Sequence, residues 1–291
     1  MKKLTFLLTV LCAAAGLQAR TVDLTASYTG ASHFSQAALS ASTALTLDTF
    51  LGLEAKWANE KAFKDPIYSV AVPLSLDLDF LQISLRPFYY FKNKSDQAAF
   101  QDSSALGVNS QLRVTLRNDT VNDIYTHAFI SASFVRQKGT VFYDTGAAEN
   151  RSYSQAAYLL GISQTLYNAF GLDIIGTVFQ YPDGITGVAG LRSILNQQEL
   201  ANTQTFDIVH QLTKYTIGTR LTRMWQENGS ALYAGYRYGQ YHTADPEHSV
   251  IVGNSFPVVK QVAVDMAYNH VRTIHNKDKR DIFYIQLTAS F

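Results

Sequence analysis

Residues Asp281–Phe291 read DIFYIQLTASF, and this stretch decides the fold. Every second position in it is apolar, and mostly polar or amphipathic side chains alternate with them. The apolar set is Phe283, Ile285, Leu287, Ala289 and Phe291. A period of two is that of a β-strand with two unlike faces. The stretch therefore predicts a strand that separates an apolar environment from a polar one.

The same alternation recurs along the chain in twelve further runs, most of them about ten to thirteen residues long. A tilted transmembrane strand needs ~9–11 residues, whereas a strand of a soluble protein averages ~5–6. The run lengths therefore favour strands that cross a membrane. The twelve runs are Thr21–Thr29, Ala37–Leu47, Phe50–Asn59, Tyr68–Leu78, Leu81–Lys92, Ala105–Arg117, Ile124–Arg136, Tyr153–Tyr167, Phe170–Tyr181, Phe206–Trp225, Ser230–Tyr241 and Pro257–Val271.

Thirteen strands is an odd number, and single-chain bacterial barrels have an even one. The weakly alternating segment Gly184–Leu195 supplies a fourteenth strand, and we predict about 14 strands on that basis. Twelve is the alternative, with the first two runs misread. The connections alternate between tight turns and long polar segments, and the longest predicted loops are Gln137–Ser152, Pro182–Thr205 and His242–Phe256. Membrane barrels have this asymmetry between their two ends.

The apolar faces carry almost no charge in the middle of a run. Lys or Arg at the midplane of a bilayer costs about 2–4 kcal/mol, so a lipid-facing wall excludes them. Aromatic residues lie near the ends of the runs, as in the two girdles of a membrane barrel. They include Tyr28, Trp57, Tyr68, Tyr89, Phe91, Tyr153, Tyr158, Tyr167, Phe170, Tyr238 and Phe291.

The first residues have the pattern of an export signal. A Met-Lys-Lys start, an apolar run over Leu4–Leu17 and the small Ala19 before Arg20 predict a signal peptide over 1–19 and a single barrel domain over 20–291. Cys12 follows Leu11, where a lipoprotein anchor requires a small residue. Cys12 is the only cysteine, so the mature domain has neither disulfides nor thiolate metal sites.

The last strand, with its terminal aromatic, resembles the closing strand of a Gram-negative outer-membrane β-barrel of the porin-like kind. The resemblance implies an all-β, transmembrane, antiparallel, up-and-down barrel in the bacterial outer membrane, in contact with its lipid. It also implies insertion by the barrel-assembly machinery, with Tyr284 and Phe291 as part of the signal. Passive diffusion of small polar solutes or ions is the function it implies most commonly. Nothing specifies an oligomeric state.

Ionisable residues on the polar faces are the candidates for a pore lining. Positive and negative side chains occur in nearly equal number, which suits a water-filled pore that orients polar solutes by a transverse field. Alternatively, they pair across the interior and fill it. The candidates are Glu54, Lys56, Asp77, Arg86, Arg113, Asp173, Arg220, Arg237 and Asp265.

Motifs for catalysis are weak, and we predict that the protein is not an enzyme. His33 and Ser35 resemble the His-x-Ser pair of outer-membrane phospholipases and deacylases, but no Asn or Glu partner is evident. Asp144–Gly146 and Asp245–His248 fit turns and surface loops better than a protease triplet or a cation site. The near balance of 24 basic and 23 acidic residues argues against nucleic acid. No cofactor or metal is expected, and the alternatives are an outer-membrane hydrolase, the barrel component of an export system, or a closed structural barrel.

Overall fold

The structure is a computed structural model that describes residues 22–32, 34–60, 66–93, 100–122, 124–142, 148–166, 170–183, 212–225, 229–242, 244–275 and 278–291. The predicted signal peptide, the predicted strand Gly184–Leu195, His33 and Asp144–Gly146 lie outside these residues. No helix in the described ranges is long and apolar enough to cross a membrane.

The described residues form fifteen strand segments. They are β1 Val22–Ala31, β2 Phe34–Ala44, β3 Thr49–Glu60, β4 Ile67–Ala71, β5 Leu74–Leu78, β6 Leu81–Asn93, β7 Phe100–Asp119, β8 Ile124–Phe142, β9 Ala148–Leu166, β10 Phe170–Gln180, β11 Thr213–Trp225, β12 Ser230–Tyr241, β13 Glu247–Val259, β14 Val262–Thr273 and β15 Lys279–Ser290.

Each strand pairs antiparallel with its sequence neighbours, and β1 pairs with β15, so the sheet closes on itself. Segments β4 and β5 form one strand interrupted at Val72 and Pro73, since both pair with β3 and with β6. Proline has no backbone N–H for the ladder, which explains the break. The closed barrel therefore has fourteen strands, and the predicted all-β antiparallel barrel is confirmed.

One strand was assigned wrongly from sequence. The segment His242–Phe256, predicted to be a long loop, contains most of β13, Glu247–Val259. Its sequence places valine and isoleucine together at 250–252 and then Gly-Asn-Ser, so it shows neither strict alternation nor a clear polar face. This segment still forms a strand, because its backbone pairs with the edges of β12 and β14 that would otherwise be unpaired.

The two ends of the barrel differ. The lower end holds Val22 and Phe291, whose backbones exchange two hydrogen bonds of 3.0 Å. The connections at this end are short, as at Lys260-Gln261 between β13 and β14. The upper end holds the longer connections, above all the one from β10 to β11. The predicted asymmetry of the connections is thus confirmed.

The outer wall is apolar. Leu, Ile, Val and Phe side chains of successive strands remain exposed on this face, among them Leu106, Ile130, Leu160, Ile217 and Phe283. Exposure of so large a continuous apolar surface to water is unfavourable, whereas contact with the hydrocarbon of a bilayer is favourable. The predicted assignment of the apolar face of each run to the outside holds for the described strands.

Aromatic rings on the inner face lie over glycines of the next strand. Phe88 is opposite Gly107, Phe129 opposite Gly161, and Tyr233 opposite Gly253. A Cβ built on each of these glycines would lie 2.3 Å from the partner ring. Glycine is therefore required at these positions by the close approach of the ring.

Candidate channel lining

All nine predicted lining residues lie on the inner face of the barrel. Directly opposed residues of neighbouring strands lie on the same face of the sheet. By the strand registers, each of the nine residues lies on the same face as the inward-pointing Phe88 and Gly107. The structure groups them into two ion-pair clusters, one exposed pair of opposite sign, and two buried residues.

The first cluster centres on Glu54 of β3. Arg86 of β6 donates from Nε (3.1 Å) and Nη2 (3.0 Å) to Glu54 Oε2, and Lys56 Nζ lies 3.0 Å from Oε1. Arg86 reaches across β4, where Ala71 lies opposite both Glu54 and Phe88. The short side chain of Ala71 leaves room for this bridge. One carboxylate thus contacts two cations, one on its own strand and one two strands away.

The second cluster joins β10 and β11. Asp173 and Arg220 are directly opposite in register, and Arg220 donates from Nε (3.0 Å) and Nη2 (2.8 Å) to Asp173 Oδ2. The guanidinium carbon lies 5.7 Å from the ring centroid of Tyr233 on β12. Because both charges remain partly exposed, this pair presents a dipole to the lumen.

Asp77 and Arg113 are the two predicted lining residues most open to solvent. Gln82 of β6 lies between them, because it is opposite Asp77 on one side and Arg113 on the other. This arrangement places opposite charges about two strands apart near the lower end of the barrel. Solvated charges at this spacing act on passing ions through water rather than through a direct ion pair.

Arg237 and Asp265 are only 4% and 6% exposed. Asp265 accepts a hydrogen bond of 2.7 Å from the hydroxyl of Tyr233. Their predicted role as pore-lining residues fits the geometry less well than that of the other seven, because a solute in water does not reach a side chain so deeply packed. The sequence shows which face they occupy but not how tightly that face is packed.

A buried acid within the predicted loop His242–Phe256 lies on the inner face of β13. Glu247 accepts a hydrogen bond of 2.9 Å from the hydroxyl of Tyr241 and is ion-paired with Arg280 of β15. It is 5% exposed. Recognising β13 as a strand would have revealed it, since Glu247 has the parity of the inward-facing Ile251 and Gly253.

Removing the Arg280 cation is expected to destabilise the barrel. In Arg280→Met, the Glu247 carboxylate keeps its burial and loses its counter-ion, and we expect a loss of about 2 kcal/mol in the free energy of unfolding. Urea titration of the protein folded in lipid vesicles measures it. Lys279→Met, at the exposed neighbouring position, should change stability by less than about 0.5 kcal/mol. Equal losses in the two variants would contradict this role of Arg280.

Two apolar clusters share the inner face with the charges. One contains Phe88, Phe129, Val135, Leu159 and Phe179, on strands β6 to β10. The other contains Tyr233, Ile251, Val271, Ile282 and Tyr284, on strands β12 to β15. The inner wall is therefore amphipathic, with charged clusters between apolar patches.

The predicted insertion signal is split between the two faces. Phe291 is 71% exposed and continues the outward-facing set of β15. Tyr284 points inward and its hydroxyl donates a hydrogen bond to Gln286. Of these two residues, Phe291 alone presents its ring on the outside of the barrel.

Candidate catalytic groups are dispersed. Ser35 lies on β2 opposite Gly30 and Asn59. Glu247 and His248 point to opposite faces, and His248 contacts Tyr236 on the outside. His270 Nδ1 and the hydroxyl of Tyr268 lie 2.7 and 2.6 Å from Asp281 Oδ1.

A His–Asp pair can catalyse hydrolysis by this mechanism only when the second ring nitrogen is hydrogen-bonded to a nucleophile. Among the described residues, the hydrogen-bonded partner of the His270 ring is Asp281, an acid. The described ranges also contain no group of three or more His, Cys, Asp or Glu residues able to hold a metal ion.

No protein-family model matches the sequence, and no curated protein matches it either. Among solved structures, the chain is similar to CdiB from Acinetobacter baumannii, with 10% identity and a TM-score of 0.53 over 94% of this chain and 60% of that one. The chain thus spans 60% of the length of CdiB.

Two further solved structures are similar to the chain. The Pseudomonas putida toluene transporter TodX has 10% identity and a TM-score of 0.49, over 96% of this chain and 90% of that one. The KdgM porin has 9% identity and a TM-score of 0.45, over 92% and 99%. At such identities the likeness is one of fold. The predicted resemblance to outer-membrane porins is confirmed as a resemblance of fold, by the closed fourteen-stranded barrel with its apolar outer wall.

Proposed function

We propose that the protein is a porin-like channel of the bacterial outer membrane, through which small polar solutes or ions diffuse passively. The observation that carries the proposal is the combination of an apolar outer wall with charged, partly solvated clusters on the inner face of a closed barrel. A barrel that only anchors itself in lipid gains nothing from charges that cost desolvation energy inside it.

The size of the barrel supports the proposal. Fourteen strands spaced ~4.8 Å apart and tilted by ~40° give a backbone cylinder roughly 28 Å across. Barrels of eight strands are filled by their own side chains, whereas those of 16–18 strands hold an aqueous channel. Fourteen strands lie close to the second group, so side chains alone leave space in the middle.

Seven of the nine charged residues would carry ion preference: Glu54, Lys56, Asp77, Arg86, Arg113, Asp173 and Arg220. Four of them are basic and three are acidic, and all are partly or well exposed to solvent. We expect a weak preference for anions, because basic residues outnumber acidic ones among these seven by one. The two buried residues, Arg237 and Asp265, belong to the packed wall.

Conductance across a planar bilayer tests the function directly. The refolded full chain should give steady, ohmic current steps in symmetric potassium chloride, with a reversal potential in a salt gradient that corresponds to a slight anion preference. The same protein added after heat denaturation is the control. A correctly folded preparation that inserts into the bilayer and stays silent would overturn the channel proposal.

A further inference from the structure

Three neighbouring strands extend above the apolar wall. β7, β8 and β9 contain 20, 19 and 19 residues. About 9–11 tilted residues cross the hydrocarbon of a membrane, so roughly half of each strand lies beyond it. The extension is at the upper end, since the lower ends of these strands are joined by short connections.

The height of the extension follows from β8. Its outward face begins with Ile124 and remains largely apolar to Phe134, ten residues higher. At ~3.4 Å per residue and a tilt of ~40°, this stretch rises about 26 Å. The apolar band of an outer-membrane barrel is ~25 Å tall. Side chains just above Phe134 therefore lie at the level of the lipid headgroups.

The outward face changes from apolar to basic at this level. Arg136 and Lys138 follow Phe134 on the same face of β8. Arg136 Nη2 donates a 3.0 Å hydrogen bond to Ser152 Oγ of β9, and Lys138 is opposite Ser152 and Ser104 in register. Two basic residues thus stand directly above the wall that faces the hydrocarbon.

Here a groove of about 410 Å³, the upper basic groove, opens between the strands. Its lining includes Lys92, Ser104, Lys138, Thr140, Arg151 and Ser152. The register of β6 against β7 shifts between Tyr90 and Asn93, and such a bulge re-aims the side chain beside it, here Lys92. Lys92 thereby joins Lys138 and Arg151 around one space, with hydroxyl and amide donors between them.

Two acids lie near the groove among the residues that the structure describes, and each has a partner. Glu149 is ion-paired with Arg151 at 3.1 Å. Asp183 accepts a 2.7 Å hydrogen bond from the backbone N–H of Ser154. Among the described residues, Arg136 and Lys138 on the outward face of β8 and Lys92 at the bulge therefore give this position an excess of positive charge. A region with this excess of positive charge attracts anionic lipid headgroups.

We propose that the upper basic groove binds the phosphate of an anionic glycolipid in the outer leaflet, with the acyl chains of that lipid lying against the apolar wall below. The wall directly beneath the groove offers the exposed side chains of Leu106, Phe134 and Tyr158, the last two in an edge-to-face contact of 6.0 Å. Inorganic phosphate has no acyl chains, so the apolar wall contributes nothing to its binding. The proposal rests on the membrane placement of the proposed function and is independent of conductance.

Native mass spectrometry of the refolded full chain in detergent tests the proposal, with diphosphorylated lipid A as the probe. One basic residue near an anionic headgroup contributes about 1 kcal/mol, which corresponds to about fivefold in affinity. We expect Lys138→Ala to weaken binding about fivefold and Lys92→Ala with Lys138→Ala about 25-fold. Lys214→Ala, an exposed lysine of β11 outside the groove, should bind like the unchanged protein.

Three results would overturn the proposal: unchanged binding in the double variant, an equal loss in Lys214→Ala, or equal binding of dephosphorylated lipid A. Displacement of the lipid by millimolar inorganic phosphate would show that the groove holds a free anion instead. Planar-bilayer conductance separates this proposal from the channel. The double variant should conduct normally. If the unchanged protein does not conduct but Lys138→Ala still weakens lipid binding, the channel proposal alone is overturned.

Discussion

Replacing Glu54 by glutamine is expected to make the channel clearly anion-selective. Glu54 is the carboxylate shared by Arg86 and Lys56, so its neutralisation removes one negative charge from the inner wall beside two cations. The side chain keeps its size, and the backbone ladder of β3 is unaffected. Selectivity should therefore change without a change of fold.

The expected magnitude follows from Coulomb's law in water. A unit charge ~6 Å from a passing ion contributes about 0.7 kcal/mol at a dielectric constant of ~80. Loss of the carboxylate favours an anion by that amount and disfavours a cation equally. The ratio of anion to cation permeability should rise about tenfold, and reversal potentials in a potassium chloride gradient measure it.

Asp48→Asn provides the matched control for charge. Asp48 is exposed in the turn between β2 and β3, outside the lumen, and its replacement removes one negative charge from the same protein. The permeability ratio of this variant should stay within about twofold of the unchanged channel, because its charge is screened by salt. If Glu54→Gln leaves the reversal potential where it was, Glu54 does not face the path of the ions.

Replacing Gly253 by alanine is expected to be strongly destabilising. A Cβ at this position would lie 2.3 Å from Cζ of Tyr233, 2.4 Å from its hydroxyl oxygen and 2.7 Å from the backbone oxygen of Met266. The ring must move, and its hydrogen bond to the buried Asp265 is then lost. Overpacking costs about 1–3 kcal/mol and a lost buried hydrogen bond adds about 1 kcal/mol. We expect a total of about 3 kcal/mol.

Gly171→Ala is the matched control for the glycine. Gly171 also points inward from a strand, yet a Cβ there would meet Thr222 at an ordinary 3.7 Å. Its replacement should change the free energy of unfolding by no more than about 0.5 kcal/mol. Urea titration of both variants in lipid vesicles gives the comparison. Equal stability of the two variants would show that Tyr233 does not need the space above Gly253.

Sequence periodicity predicts most of the barrel for a physical reason. One face of each strand contacts lipid and the other contacts polar groups, so successive residues alternate between apolar and polar. The alternate positions of Phe283, Ile285 and Leu287 therefore predict which face of β15 contacts lipid. The period is lost where that contrast is absent. It is absent in β13, where Val250-Ile251-Val252 has apolar side chains on both faces.

The upper ends of β8 and β9, residues 137–142 and 148–152, are likewise not predicted as strands by their sequence. Above the hydrocarbon both faces of these strands meet water, so the residues there carry no alternation. Backbone pairing alone continues the strands to Phe142 and from Ala148. The run predicted for β8 therefore ends at Arg136, and Gln137–Ser152 is predicted as a loop.

By itself, the sequence determined the fold class, the faces of its strands and the inward position of all nine charged residues, because alternation is a local property of the chain. Only the tertiary structure decided which of those charges meet. Glu54 and Arg86 are 32 residues apart, and Asp173 and Arg220 are 47 apart. Their contacts depend on strand register and on small residues such as Ala71, and register is set by the closure of the whole barrel.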